Sequence, residues 1–113
     1  MTIKVLVKLP IGLKDRMLLL PITLSGMLDQ YIIHSGISKP DYTLNFDNLI
    51  EHVVIKKSNS IIDNFEPVCL MLSKQALKEL SNWDRKDWHY VIQQLLLKME
   101  SDILKMLSDL ERS

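Results

Sequence analysis

The chain has 113 residues, one cysteine, 47% hydrophobic residues and 14 basic against 14 acidic side chains. This length and composition fit one small folded domain and exclude a disordered or low-complexity chain. Charge neutrality also removes the overall basic excess that is typical of nucleic-acid-binding proteins, although local basic patches remain open.

Two features of the sequence bear on the cellular location of the protein. The N-terminal residues lack the basic region, apolar block and cleavage site of a signal peptide. The longest apolar run, residues 17–24, is broken by Pro21 and is shorter than the roughly 20 residues that span a bilayer. We therefore expect a cytoplasmic protein without membrane contact. Cys69 lies in an apolar run, which favours a buried, reduced thiol over a nucleophile.

A period-two alternation over residues 3–8 predicts the first element, a strand near a sheet edge with its lysines facing water. Residues 17–24 predict a second strand. Apolar residues recur at helical spacing over residues 27–32, and the Gly, Ser and Pro residues within 35–40 predict the end of that helix.

The middle of the chain is ambiguous. Residues 42–57 contain apolar residues at helical spacing but also a β-favouring stretch, and we favour a helix. Polar and breaker residues over 58–65 predict a linker. The expected organisation is a single domain, 1–113, which would divide into 1–57 and 66–113 if it divides at all.

The C-terminal half carries the clearest pattern. Residues 68–72 predict a short strand, and Ser73 is placed to cap a helix over residues 74–82. A long helix is expected from Asp84 or Asp87, whose charges suit a helix start, to Leu110. Its core-facing stripe comprises Trp88, Val91, Ile92, Leu95, Leu96, Met99, Ile103, Met106, Leu107 and Leu110. The predicted fold class is α+β, with a helical hairpin and a long C-terminal amphipathic helix.

A second seam on this helix consists of Tyr90, Leu97 and Leu104, each seven residues apart. It predicts either a partner interface or a helix covered on both sides by its own fold, and we favour the interface because a small chain has little material for such cover. Trp83 and Arg85 join Tyr90 in an aromatic and basic cluster, the residue types that dominate interface energetics. Simple burial of the tryptophans at the helix junction is the alternative.

Residues 22–31 and 70–80 repeat one order at an offset of 48: apolar residues, a serine, then helical spacing. With the Gly36 turn that follows the first copy, this order resembles the ribbon-helix-helix family of small bacterial and phage DNA-binding regulators. The resemblance implies that the chain could form an antiparallel ribbon from its own two copies and place it in the DNA major groove.

Base reading requires hydrogen-bonding side chains on the outward face of such a ribbon. The strand at 68–72 offers almost none, and the first copy offers Thr23 and Ser25 only. A locally basic N-terminal arm would supply phosphate contacts through Lys4, Lys8, Lys14 and Arg16.

The sequence shows no catalytic constellation. His34, His52 and His89 are dispersed, no cysteine pair exists, and the glycines form no phosphate-binding loop. We expect no metal, no cofactor and no enzyme activity. The leading hypothesis is a protein-binding regulator or inhibitor of the antitoxin, immunity or phage and plasmid regulator type, working with a protein partner or as a homodimer. The alternative is a ribbon-helix-helix-type DNA-binding regulator.

Overall fold

The computed structural model describes residues 2–20, 23–49, 54–57, 60–63 and 65–112. The elements within these ranges, in chain order, are β1 (Thr2–Pro10), α1 (Leu13–Leu18), α2 (Leu24–His34), β2 (Val54–Lys57), β3 (Ser60–Asp63), β4 (Phe65–Ser73), α3 (Lys74–Leu80) and α4 (Trp88–Arg112). Short 3₁₀ turns occupy Phe46–Asn48 and Arg85–Asp87. The α+β class predicted from the sequence is confirmed.

Strands β1 and β4 form a two-stranded antiparallel ribbon. Val5 lies opposite Leu70 and Val7 opposite Val68, so the inward side chains of both strands meet in the core. Both strands therefore confirm the predictions for residues 3–8 and 68–72, including the exposed lysines. The same alternation turns Cys69 outward, and the expectation of a buried thiol is wrong, because its neighbours Val68 and Leu70 occupy the inward positions.

A second antiparallel pair is formed by β2 and β3, with Val54 opposite Asp63 and Lys57 opposite Ser60. This pair lies in the region for which a helix over 42–57 and a linker over 58–65 were predicted. The linker residues 58, 59 and 64 lie outside the described residues, as does His52.

The helix prediction for residues 42–57 is wrong wherever the chain is described. Asn45 accepts a hydrogen bond from the Asp47 N–H through its side chain at 3.2 Å and starts a single 3₁₀ turn, which ends at Leu49. Asparagine and aspartate favour such local turns over a continuous helix. The residues that follow the undescribed stretch 50–53 form β2, in agreement with their β-favouring composition.

The predicted strand over residues 17–24 does not form in its described part. Met17 and Leu18 belong to α1, in which Leu13 and Met17, four residues apart, are both buried. Gly12 precedes this helix at φ 90°, a left-handed conformation that turns the chain out of β1. The first part of this apolar run therefore forms the end of a helix and the turn that follows it. Residues 21 and 22 lie outside the described residues.

Helix α2 begins at Leu24 and packs against β4, α3 and α4. Its start and its end before Gly36, which has φ 72°, agree with the predicted helix and stop. Ser73 caps α3 by accepting a hydrogen bond from the Ala76 N–H at 3.2 Å, which confirms that prediction. Ser25 lies inside α2 and is not a cap, because Thr23 occupies the position before the helix.

The long C-terminal helix is confirmed as α4, which follows the 3₁₀ turn Arg85–Asp87 directly. Asp84 precedes that turn without forming a side-chain capping bond, so its expected capping role is not realised. The proximal part of the predicted stripe is buried, from Val91 to Ile103. One core cluster joins residues of β1, α1, α2, β4, α3 and α4.

Candidate interaction surface

The junction between α3 and α4 is held by its two tryptophans. Trp83 donates from Nε1 to the carbonyl of Ile37 at 2.7 Å, and Trp88 donates from Nε1 to the carbonyl of Trp83 at 3.0 Å. Both rings are half-buried. Their polar edges are thus used inside the fold, so Trp83 shapes the junction more than it offers a contact to a partner.

Arg85 is exposed and joins this junction to the ribbon. Its guanidinium carbon lies 4.6 Å from the centre of the Trp88 ring, a cation–π contact. The same guanidinium donates to the carbonyl of Leu6 in β1. Arg85 thereby fixes the position of β1 relative to the start of α4, while most of its side chain remains accessible.

The predicted seam of Tyr90, Leu97 and Leu104 is split by the chain's own fold. Tyr90 packs edge-on against Phe46, with ring centres 5.5 Å apart, and Leu97 is half-buried beside Leu49. Leu104 alone is largely exposed, at 52%. The segment around the 3₁₀ turn Phe46–Asn48 thus covers Tyr90 and Leu97, whereas Leu104 remains accessible.

A shallow groove of about 510 Å³ lies between this segment and α4, lined by Asn45, Leu49, Gln94, Leu97 and Lys98. Gln94 spans it by accepting from the Asn45 N–H at 2.7 Å and donating to the Tyr42 hydroxyl at 2.9 Å. These bonds attach the segment to α4. Among the described residues that line the groove, Lys98 is the one charged group, and none of them is a nucleophile with a base beside it.

A second groove of about 350 Å³, between α2 and α4, contains a tyrosine–carboxylate pair. Tyr31 donates from its hydroxyl to Asp102 at 2.7 Å. This hydrogen bond, assisted by burial and by the Asp102 charge, raises the pKa of Tyr31 to about 12. A phenol whose pKa is raised keeps its proton near neutral pH and is a poor base there. The pair therefore connects two helices and does not resemble an acid–base centre.

The distal part of α4 presents exposed apolar side chains. Its stripe is buried from Val91 to Ile103, yet Met106 is 55% and Leu110 66% exposed. Spacings of three and four residues place both on the core-facing side of the helix, beyond the end of the core. We call Met106, Leu107 and Leu110 the distal stripe. The prediction that Met106 and Leu110 face the core is wrong, whereas Leu107 is half-buried.

Helix α1 lies beside the beginning of this surface. Arg16 forms an ion pair with Glu100, with Nε 3.1 Å from Oε2, and the pKa of Arg16 is raised because of this bond. The end of α1 adds the exposed Leu18 and Leu19.

The outward face of the β1–β4 ribbon is a second accessible surface. Leu6 is 60% exposed at its centre, and Cys69 and Met71 are exposed opposite β1. Lys4 and Lys8 lie on the same face, on either side of Leu6. We call these five residues the ribbon face.

The residues predicted for DNA binding are not brought together. Lys4 and Lys8 lie on the ribbon face, whereas Lys14 and Arg16 belong to α1, where Arg16 is paired with Glu100. Thr23 and Ser25 are at the start of α2 and not on a ribbon, because β4 pairs with β1.

Sequence reasoning missed Asp29, a carboxylate on the inner face of α2. It is buried and accepts hydrogen bonds from the Ser73 N–H at 2.7 Å and the Ser73 hydroxyl at 2.9 Å. The only signal was an acidic residue next to the apolar Leu28 in an otherwise core-facing pattern. This residue secures the joint between β4 and α3.

Within the described ranges, no three His, Cys, Asp or Glu side chains are grouped so that they could hold a metal ion. The helices of those ranges also include none with the length and apolarity needed to cross a membrane. The described residues define an α+β fold with exposed apolar side chains on α4 and on the β1–β4 ribbon. Comparison with protein-family models, with curated proteins and with solved structures finds no match.

Proposed function

We propose that this chain is a small non-enzymatic regulator or inhibitor, of the antitoxin, immunity or phage and plasmid regulator type, which binds another protein through α4. One observation carries the proposal: the apolar stripe of α4 continues beyond its own core. Ile103 is 2% exposed, whereas Met106 and Leu110 are more than half exposed. Exposed apolar residues at helical spacing are the feature by which helices bind in the grooves of partner proteins.

The sequence-predicted partner residues have different parts in this proposal. Leu104 adjoins the distal stripe and would contact the partner directly, and Arg85 is accessible at the other end of the helix. Trp83, Tyr90 and Leu97 are half-buried and support the helix from beneath. The binding surface is therefore displaced towards the C-terminal end of α4.

The test is binding by a chain in which Met106 and Leu110 are both changed to Glu. Because both side chains are exposed, the free energy of unfolding should change by less than about 0.5 kcal/mol for each substitution. Proteins captured from a lysate of the source cells by the wild-type chain should bind this variant about 30-fold more weakly or worse, as measured by titration.

The matched control is Ser38→Glu with Gln75→Glu. It adds the same charge at exposed positions outside α4, away from both Leu104 and the distal stripe. The control should bind as the wild type does. Equal losses in both double variants, or none in either, would refute a role for the distal stripe.

DNA binding remains the second candidate, and the feature that favours it is the pair of exposed lysines on a two-stranded ribbon. Binding through phosphate contacts should weaken steeply with salt, with a slope of about −0.9 for each phosphate neutralised. Lys4→Glu with Lys8→Glu should therefore lower both the affinity and the slope in a filter-binding titration. Absence of binding at low salt would eliminate this candidate.

A further inference from the structure

One side chain of α4, Gln94, holds residues 43–49 on the helix by hydrogen bonds. Its Oε1 accepts from the Asn45 N–H at 2.7 Å, and its Nε2 donates to the carbonyl of Thr43 at 3.2 Å. Within the described residues, no other hydrogen bond joins residues 43–49 to another helix or strand. We call residues 43–49 the strap.

The remaining hydrogen bonds of the strap are local. The Asp47 N–H donates to the Asn45 side chain at 3.2 Å, and the Leu49 N–H donates to the carbonyl of Phe46 at 3.3 Å. Both bonds close within the strap and need no group of α4. The polar attachment of the strap to the helix therefore depends on Gln94 alone among the described residues.

The apolar attachment of the strap is small. Of its three apolar side chains, Leu49 is buried and Leu44 half-buried, whereas Phe46 is 50% exposed although its ring contacts Tyr90. The groove of about 510 Å³ separates part of the strap from α4 beside the half-buried Leu97. Segments with few buried apolar side chains and solvent-accessible hydrogen bonds are the ones that open locally in native proteins.

The residue before the strap is fixed more firmly. Tyr42 is half-buried and packs edge-on against Trp83, with ring centres 6.0 Å apart. Its hydroxyl also accepts from Gln94 at 2.9 Å. The ring contact with Trp83 does not involve Gln94, so Tyr42 gives the strap a fixed end when Gln94 releases it.

We propose that the strap is a lid on α4 that Gln94 holds closed, and that it opens from Tyr42 as a unit and uncovers Leu97. Leu97 then joins the exposed Leu104, seven residues further along the helix, in one accessible apolar row. The strap thereby sets how much apolar surface α4 presents, through the populations of the closed and open states. This device goes beyond the proposed function, which requires no movement of the chain.

Alkylation of a thiol beneath the strap measures its opening. Cys69→Ser removes the sole natural thiol, and Leu97→Cys in that background should react faster as the open population rises. Gln94→Ala should speed this reaction about fivefold or more, because the bonds that hold the strap closed are lost. Leu104→Cys in the same background is accessible with the strap closed and should react equally fast with and without Gln94→Ala.

The matched control is Gln75→Ala, the same substitution at an exposed position of α3 outside the strap and the groove. It should leave the reaction of Leu97→Cys unchanged. Equal acceleration by Gln94→Ala and Gln75→Ala, or no acceleration by either, would overturn the proposal.

Amide hydrogen exchange separates opening of the whole strap from the loss of one bond. The acceptor of the Leu49 N–H is Phe46, so Gln94→Ala does not remove it. A lone 3₁₀ turn is short-lived in water, and we expect the Leu49 N–H to exchange about fivefold faster in Gln94→Ala, as the thiol reaction does. Faster exchange of the Asn45 N–H alone would show a lost bond without opening and would contradict the lid.

The wild-type chain tests the lid without a substitution near it. Low concentrations of urea should speed exchange of the Leu95 N–H, which lies in the core, and leave that of Leu49 nearly unchanged, since a local opening exposes little surface. The same urea dependence at both residues would show that the strap opens only when the chain unfolds. A Leu49 N–H that exchanges as fast as in an unfolded chain would show that the strap is not closed, and either result would overturn the proposal.

Discussion

Asp29 is the residue on which the joint between the ribbon and the helices depends. Its carboxylate is buried in α2 and accepts two hydrogen bonds from Ser73, which in turn caps α3. Three elements, α2, β4 and α3, therefore meet at this one pair of residues. A buried backbone N–H that loses its acceptor lowers the free energy of unfolding, so this one pair of residues makes a large contribution to stability.

We expect Asp29→Ala to lower the free energy of unfolding by about 2–3 kcal/mol, because the Ser73 N–H then lacks its acceptor. Ser73→Ala removes the helix cap and one bond to Asp29, at a cost of about 1–2 kcal/mol. The double variant should lose about 1 kcal/mol less than the sum of the two, since the bond that they share is counted twice. Urea unfolding of the four proteins measures this coupling, and strictly additive losses would contradict it.

Tyr31 gives the folded state a pH dependence of its own. Its pKa rises from 10.0 to about 12 on folding because its hydroxyl donates to Asp102. A group whose pKa is raised by folding stabilises the fold fully below its unfolded value and loses that contribution as the pH passes its folded value. The contribution of Tyr31 is therefore complete below about pH 10 and is lost towards pH 12.

The comparison that tests this is wild type against Tyr31→Phe. At neutral pH the variant should be less stable by about 0.5–1 kcal/mol, because the bond it lacks is partly solvent-exposed. Chemical unfolding from pH 9 to 12 should show this difference shrink as the wild-type tyrosine ionises. A difference that stays constant over the whole interval would show that the hydroxyl does not titrate in contact with Asp102.

At the scale of elements, the sequence predicts those whose local signals agree with one another. In β4 and α3, a β-favouring run ends at a capping serine that is followed by helical spacing, and the structure follows each signal. Helix α4 is predicted for the same reason, since its apolar period continues from Trp88 to Leu110. Agreement among propensity, capping and periodicity makes these elements readable from the sequence alone.

The errors arise where tertiary contacts decide between two local readings. The apolar residues of 17–24 fit a strand by composition, but burial of Leu13 and Met17 on one side selects a helix for α1. The sequence also predicts a buried Cys69, because its neighbours are apolar. Only the pairing of β4 with β1 decides which alternate residues face inward, and that pairing joins positions 55 to 71 residues apart.

The candidate interaction surface could be predicted only in part, because tertiary contacts decide which of its residues are exposed. Leu104 was identified because its seam is visible in the sequence, and the lysines of β1 because they alternate with apolar residues. The sequence predicts that Met106 and Leu110 face the core, because periodicity shows which side of a helix is apolar and not how far along the helix that side is buried. The extent of burial depends on how far the elements that pack against α4 reach along it.

The whole molecule is accordingly longer than a compact domain of its size. The Cα radius of gyration is 15.2 Å, against about 13 Å for a compact chain of this length. The longest dimension is 54 Å and the shortest 29 Å. Helix α4 is about 37 Å long from its residue count, which exceeds the shortest dimension of the molecule, and its last turns lie beyond Ile103, the last buried residue of its stripe.

Deletion of residues 105–113 tests whether these last turns serve the fold or an interface. Because Ile103 is the last buried residue of the stripe, we expect the free energy of unfolding to fall by no more than about 1 kcal/mol. Small-angle scattering of the dilute monomer should give a radius of gyration that moves towards about 13 Å. Ile103→Ala, which opens the core itself, should instead cost about 2–4 kcal/mol without shortening the molecule. A truncated chain as unstable as Ile103→Ala would show that the distal stripe belongs to the core and is not free for a partner.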